Sequence, residues 1–171
     1  MRAGSRTRAG LSGLIFLGLA GCQEGSSFGQ QTFRGQYATA RNALEAGQYA
    51  RANQTYVRLI QRAGPLAPRI RLEYAHSQLR SGDYVAAANQ AGTLAEQQEG
   101  AARAAALAVR GTAQHELGLA AFSEGDAKTA RVYLKEAAAA FDEVLKDHPD
   151  LDPLGALAGR RASIKVRMGG L

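Results

Sequence analysis

Apolar and small residues recur every three to four positions along almost the whole chain after Phe33. No stretch alternates β-branched and polar residues at period two. That spacing predicts amphipathic helices and no strands, an all-α chain. The same stretch is rich in Ala, Leu, Arg, Glu and Gln, which lose little on entering a helix. The breaks are regular. Gly47-Gln48-Tyr49, Gly82-Asp83-Tyr84 and Gly125-Asp126-Ala127 each interrupt a helical run, and a glycine suits the left-handed position that ends a helix. Pro65, Pro68, Pro149 and Pro153 mark longer turns, because proline is tolerated at a helix start and not inside one. The pattern predicts helices at 33–46, 49–62, 68–81, 84–98, 101–124, 127–147 and 154–167, to within about three residues.

The breaks also repeat. Gly47 and Gly82 are 35 residues apart, as are Tyr49 and Tyr84. A helix–turn–helix unit with a period near 34 resembles the tetratricopeptide repeat. In the first unit Ala40 matches the small position of the first helix and Ala52 that of the second. Tyr49 follows the turn, and Tyr56, Leu59 and Ile60 supply the second helix's apolar face. In the second unit the matching residues are Ala75, Tyr84, Ala87, Ala91, Leu94 and Ala95. In the third they are Gly118, Ala127, Ala130 and Leu134. Small residues let two helices approach closely, and larger ones three and four positions away fill the gap. Phe141, Val144, Leu145 and Pro149 look like a repeat end displaced by seven residues, so the third pair is expected to be longer. Leu154, Leu157, Ala158, Ile164 and Val166 are read as a C-terminal capping helix. The resemblance spans about residues 33–149 and implies a short solenoid of antiparallel helix pairs; a plain helical bundle is the alternative.

The N-terminus has a different character. Arg2, Arg6 and Arg8 precede an apolar run from Leu11 to Ala20. That run is too short to span a bilayer, and its order is that of an export signal. Leu19-Ala20-Gly21-Cys22 resembles the lipobox of bacterial lipoproteins. The resemblance implies cleavage before Cys22 and acylation of that residue, the only cysteine in the chain. It divides the chain into a signal peptide (1–21), a lipidated cysteine with a polar tether (22–31) and a helical domain (32–171). Gln23 follows the cysteine where enteric inner-membrane lipoproteins carry aspartate, so the resemblance implies an outer-membrane anchor with the domain in the periplasm.

Charge and candidate chemistry change this picture little. The net charge of +6 comes from 21 basic and 15 acidic residues. Three of those bases lie in the signal, so the basic excess is weak support for a nucleic-acid partner. His76, His115 and His148 are not at metal-ligand spacing. His115-Glu116 begins like a zinc-protease motif but meets Leu119 where a second histidine is required. No phosphate-cradling glycine loop or nucleophile elbow is present. No catalytic group, metal or cofactor is expected.

What remains is a surface. The resemblance implies that the first helix of each pair lines a concave face. Aligned on the turn glycines, that face takes Arg34, Tyr37, Arg41 and Leu44 from the first unit. The second adds Arg69, Leu72, His76 and Leu79, and the third Thr112, His115, Leu119 and Phe122. Arg34, Tyr37, Arg41, Arg69, His76 and His115 are the candidate partner-binding residues, with the arginines pairing carboxylates of a protein segment. The alternative is that the apolar members pack in the core and the arginines are solvated. The expected role is a membrane-anchored scaffold resembling the small tetratricopeptide lipoproteins of tight-adherence pilus systems. Adaptors for outer-membrane protein assembly or for peptidoglycan enzymes are the alternatives. The oligomeric state is open.

Overall fold

The computed structural model describes the backbone of residues 27–169 and side chains from residue 32 onward. Leu19, Ala20, Gly21 and Cys22, with the rest of the expected signal, lie outside the described residues. Seven α-helices follow one another: α1 (Ser27–Glu45), α2 (Tyr49–Ile60), α3 (Ala67–Arg80), α4 (Tyr84–Gln97), α5 (Gly100–Ser123), α6 (Ala127–Asp147) and α7 (Ala156–Gly169). Short 3-10 turns at Gly64–Leu66 and Pro149–Leu151 join α2 to α3 and α6 to α7. There is no strand among the described residues, and no helix among them is long and apolar enough to cross a membrane.

Three of the connections are built alike. Gly47, Gly82 and Gly125 have φ of 71°, 82° and 81°. The Gly47 N–H donates to the Leu44 carbonyl (3.1 Å), and the Gln48 N–H reaches back to Ala43 (2.8 Å). Gly82 and Asp83 repeat this with Leu79 and Gln78 (3.1 and 3.0 Å), as do Gly125 and Asp126 with Phe122 and Ala121 (3.1 and 2.9 Å). This is the Schellman arrangement, which satisfies two orphan carbonyls and turns the chain through a left-handed residue. The next helix is then capped. Asp83 accepts from the Ala86 N–H (3.2 Å) and Asp126 from the Thr129 N–H (3.0 Å). Gln48, at the same place in the first joint, makes no side-chain cap.

Burial follows the same register. Ala40 and Ala75, each seven residues before a turn glycine, are fully buried, as are Ala52, Ala87 and Ala130, five residues after one. Gly118 occupies the third copy of the first position. A Cβ there would lie 2.7 Å from Leu134 Cδ2. Each helix packs on its neighbours in the chain; α3 also touches α5, and α5 touches α7. The helices α3, α5 and α7 therefore lie side by side, and α1 joins the row through side-chain bonds to α3. One core cluster holds Leu44, Tyr56, Leu59 and Ile70 between α1, α2 and α3. Others join α4, α5 and α6 through Leu94, Leu107 and Val144, and α6 and α7 through Leu134, Phe141 and Ile164.

One boundary departs from expectation, and a second shifts within the stated margin for a visible reason. α1 begins at Ser27, so residues 27–31 of the expected tether are helical. α7 begins at Ala156 rather than at 154, because Asp152 receives the Leu157 and Ala158 N–H groups on its two oxygens (3.0 and 2.9 Å). That leaves Leu154 in the turn, 93% exposed, and Val166 is 78% exposed. Neither belongs to the packing face of the last helix, which is built on Ile164 with Leu157 and Met168.

Candidate interaction surface

The row of odd-numbered helices carries the expected groove residues, and the first two units bring several of them together. Tyr37 donates from its hydroxyl to Glu73 Oε1 (3.2 Å), and Arg41 donates from Nη1 to Glu73 Oε2 (2.8 Å). Arg41 also reaches Glu45, and Arg80 reaches Glu45 from α3, each at 3.4 Å. These contacts form a polar seam tying α1 to α3. Loss of hydration, then Glu73, raises the Tyr37 pKa. The hydrogen bond to Glu73 raises that of Arg41. Arg41 therefore has carboxylates of its own chain, and a partner's carboxylate would have to displace them. Arg34 and Arg69 are exposed and form no ion pair among the described residues. His76 is exposed beside this seam.

Leu44 belongs to the core and not to the groove; it is fully buried. Leu72 and Arg69 instead edge a hollow of about 310 Å³ with Pro65, Pro68, Leu94 and Ala106. This hollow opens between α3, α4 and α5 and pairs one cation with an apolar floor. In it Arg69 stands beside a space large enough for a single apolar side chain.

The third unit is different. His115 is only 5% exposed, and Arg160 of α7 places Nη1 2.7 Å from its Nδ1. The same guanidinium donates to Glu116. An arginine can only donate, so Nδ1 accepts and the proton sits on Nε2. That Nε2 is buried without a partner. Burial, and then Arg160, lower the His115 pKa. His115 is thus a neutral residue under the last helix, not a groove residue. Phe122 is covered in part by the Arg167 guanidinium, 5.7 Å from the ring centroid. Thr112 spends its hydroxyl on the Ala108 carbonyl (2.8 Å).

A feature without an obvious sequence signal lies on the other row. α4 and α6 leave a cleft of about 400 Å³ over α5, lined by Asn89, Thr93, Glu96, Arg110, Gln114, Tyr133 and Glu136 among others. Gln114 is 3% exposed. Its Nε2 donates to Glu136, while its Oε1 is buried without a partner. Arg110 lies 3.8 Å from the same carboxylate. Nothing in the sequence hints at it, since the matching positions of the first two units, eleven residues before the turn glycine, are also polar (Gln36 and Arg71). Among the described residues, no group of three or more His, Cys, Asp or Glu side chains is placed to hold a metal ion.

No protein-family model, no curated protein and no solved structure matches the chain.

Proposed function

We propose that this chain is a non-enzymatic scaffold of the bacterial cell envelope, a short tetratricopeptide-like solenoid that holds a segment of a partner protein. The observation that carries the reading is the threefold repetition of one joint. A left-handed glycine, the same pair of backbone hydrogen bonds and buried small residues on both sides recur at Gly47, Gly82 and Gly125. Stacked units of that kind present their first helices as one continuous surface. On it, Arg34, Arg69 and His76 are open, and the hollow beside Leu72 accepts an apolar side chain. A partner segment with an acidic residue near an aliphatic one fits this chemistry, the carboxylate going to Arg69.

The location is part of the proposal. The lipobox-like Leu19-Ala20-Gly21-Cys22 would put a lipid on Cys22 and hold the domain at a periplasmic membrane face, the outer membrane by the Gln23 rule. The test is an in-cell cross-linking capture of the tagged protein beside Cys22→Ala and Arg34→Glu/Arg69→Glu variants. The proposal expects envelope proteins such as pilus or secretion subunits, weakened in both variants. Capture of cytoplasmic proteins, unchanged by either substitution, would refute it.

A further inference from the structure

The ionisable residues are divided unevenly along the folded chain. Residues 32–80 hold eight arginines, no lysine and two acids, Glu45 and Glu73. Both acids are turned to the α1–α3 seam, where Arg41 and Arg80 meet them. Residues 81–152 are the reverse, with six bases and twelve acids. The first three helices therefore carry a large uncompensated positive charge, all of it arginine, and residues 32–62 of the first hairpin hold five of those arginines against Glu45 alone.

Three of those arginines form a stripe. Arg51 and Arg58 stand seven residues apart on α2, which puts them on one face of the helix, and Arg62 follows in the turn just past its end. All three are exposed. Their hydrogen-bond partners are neutral: Gln48 for Arg51 (3.5 Å), Thr55 for Arg58 (3.3 Å) and Gln36 of α1 for Arg62 (3.4 Å). None of them forms a bond to any helix other than α1 and α2. The stripe is preorganised by amides and a hydroxyl without being neutralised. Guanidinium groups in such a row suit phosphate oxygens, which they bind through two parallel N–H groups.

We infer that the arginine stripe of α2 is a contact surface for anionic phospholipid headgroups, and that the first hairpin rides against the membrane. The choice of lipid as occupant rests on the anchor reading of Cys22. Cys22 is five residues from the start of α1, a distance of at most about 17 Å even if fully extended. The hairpin is then the unit held nearest to the bilayer, and Arg62 contacts α1 at its middle, through Gln36. A second copy stacked end to end fits poorly. The opposite end of the domain, residues 153–169, is also purely basic, with Arg160, Arg161, Lys165 and Arg167 and no acid.

The experiment uses the full chain with Cys22→Ala, so that no acyl chain contributes. Its partition to vesicles of phosphatidylglycerol with phosphatidylcholine is compared with pure phosphatidylcholine. The neutral vesicles measure what the apolar N-terminal run adds, and the contribution of Arg2, Arg6 and Arg8 is common to every variant compared. The inference expects preference for the anionic vesicles, lost on going from about 0.1 M to about 1 M salt as the screening length falls from ~10 to ~3 Å. Arg51→Gln/Arg58→Gln/Arg62→Gln should weaken the anionic binding roughly a hundredfold, since each basic side chain at such a surface contributes roughly fivefold. Lys128→Gln/Arg131→Gln/Lys135→Gln removes the same charge from α6 and should leave binding nearly unchanged. Helical circular dichroism of both variants verifies that they fold. Equal weakening by the two triple variants, or no preference for anionic vesicles, would overturn the inference. Tighter retention by DNA than by the vesicles would overturn it too. The anchor reading is judged separately, by the mass of wild-type chain extracted from membranes. A lipidated chain whose arginines do not matter defeats this inference alone. An unlipidated chain with arginine-dependent vesicle binding defeats the anchor alone.

Discussion

The second and third helix pairs share a joint but solve their packing in opposite ways. In α3–α4 the residues seven before and nine after the turn glycine are Ala75 and Ala91, both fully buried. In α5–α6 the same positions are Gly118 and Leu134, and a Cβ on Gly118 would sit 2.7–2.8 Å from the Leu134 side chain and 3.3 Å from its backbone nitrogen. A second such interlock lies two turns earlier, where a Cβ on Gly111 would meet Phe141 at 2.8 Å. The longer helices, of 24 and 21 residues, are held by glycine–large pairs, whereas in the shorter pair both matching positions are buried alanines. The joint fixes where two helices cross. The residues seven before and nine after the glycine fix how closely they approach, and either combination fills the space.

The sharpest way to break this comparison is to convert one joint into the other. Leu134→Ala alone should cost about 2–5 kcal/mol through the cavity it leaves. Gly118→Ala alone should cost about 1–2 kcal/mol, the strain of overpacking less the gain in helix propensity. The double variant recreates the alanine pair of the second unit, so its loss in urea unfolding should be clearly smaller than the sum. Additive losses would mean the two positions do not share a space. Next come the turn glycines. Nothing lies within 4 Å of a Cβ on Gly47, Gly82 or Gly125, so alanine there is opposed by backbone conformation alone. Each substitution should cost about 1–2 kcal/mol, and the three should agree. Disagreement would show that the joints are not copies of one unit.

Smaller effects separate the first joint from the other two. Asp83→Ala should lose about 1 kcal/mol with the cap it gives Ala86. Gln48→Asp, which supplies the missing cap at the first joint, should raise the melting temperature. The smallest effect is on pH. His115 titrates below its usual 6.5 when folded, through burial and Arg160. The unfolded chain therefore binds its proton first, so this contribution is whole above about pH 6.5 and declines as pH falls towards the folded pKa. Melting curves between neutral and mildly acidic pH should show that decline, and His115→Gln should flatten it. His76 titrates low as well, its ring partly shielded from water although the residue as a whole is exposed, so some slope should remain.

Much of the fold was legible in the sequence because its signals are local. Glycine ends, proline starts and the spacing of alanines need only neighbours within two turns, and α2 to α6 fall within two residues of their expected bounds at every end. The surface was less so, because its residues meet across long separations. Nothing within α1 announces that Arg41 will be engaged by Glu73. His115 looked open because the position of α7 depends on Asp152 capping across a turn that contains Pro153. The cleft between α4 and α6 depends on how far those helices splay, which no periodicity encodes.

The measurement that most directly tests the central claim is the intact mass and fractionation of the protein expressed in a bacterial cell. The account predicts a membrane-bound chain that begins at Cys22 and carries acyl groups on that residue, with its helical domain accessible from the periplasm. A soluble cytoplasmic chain that retains residues 1–21 and a free Cys22 thiol would contradict it.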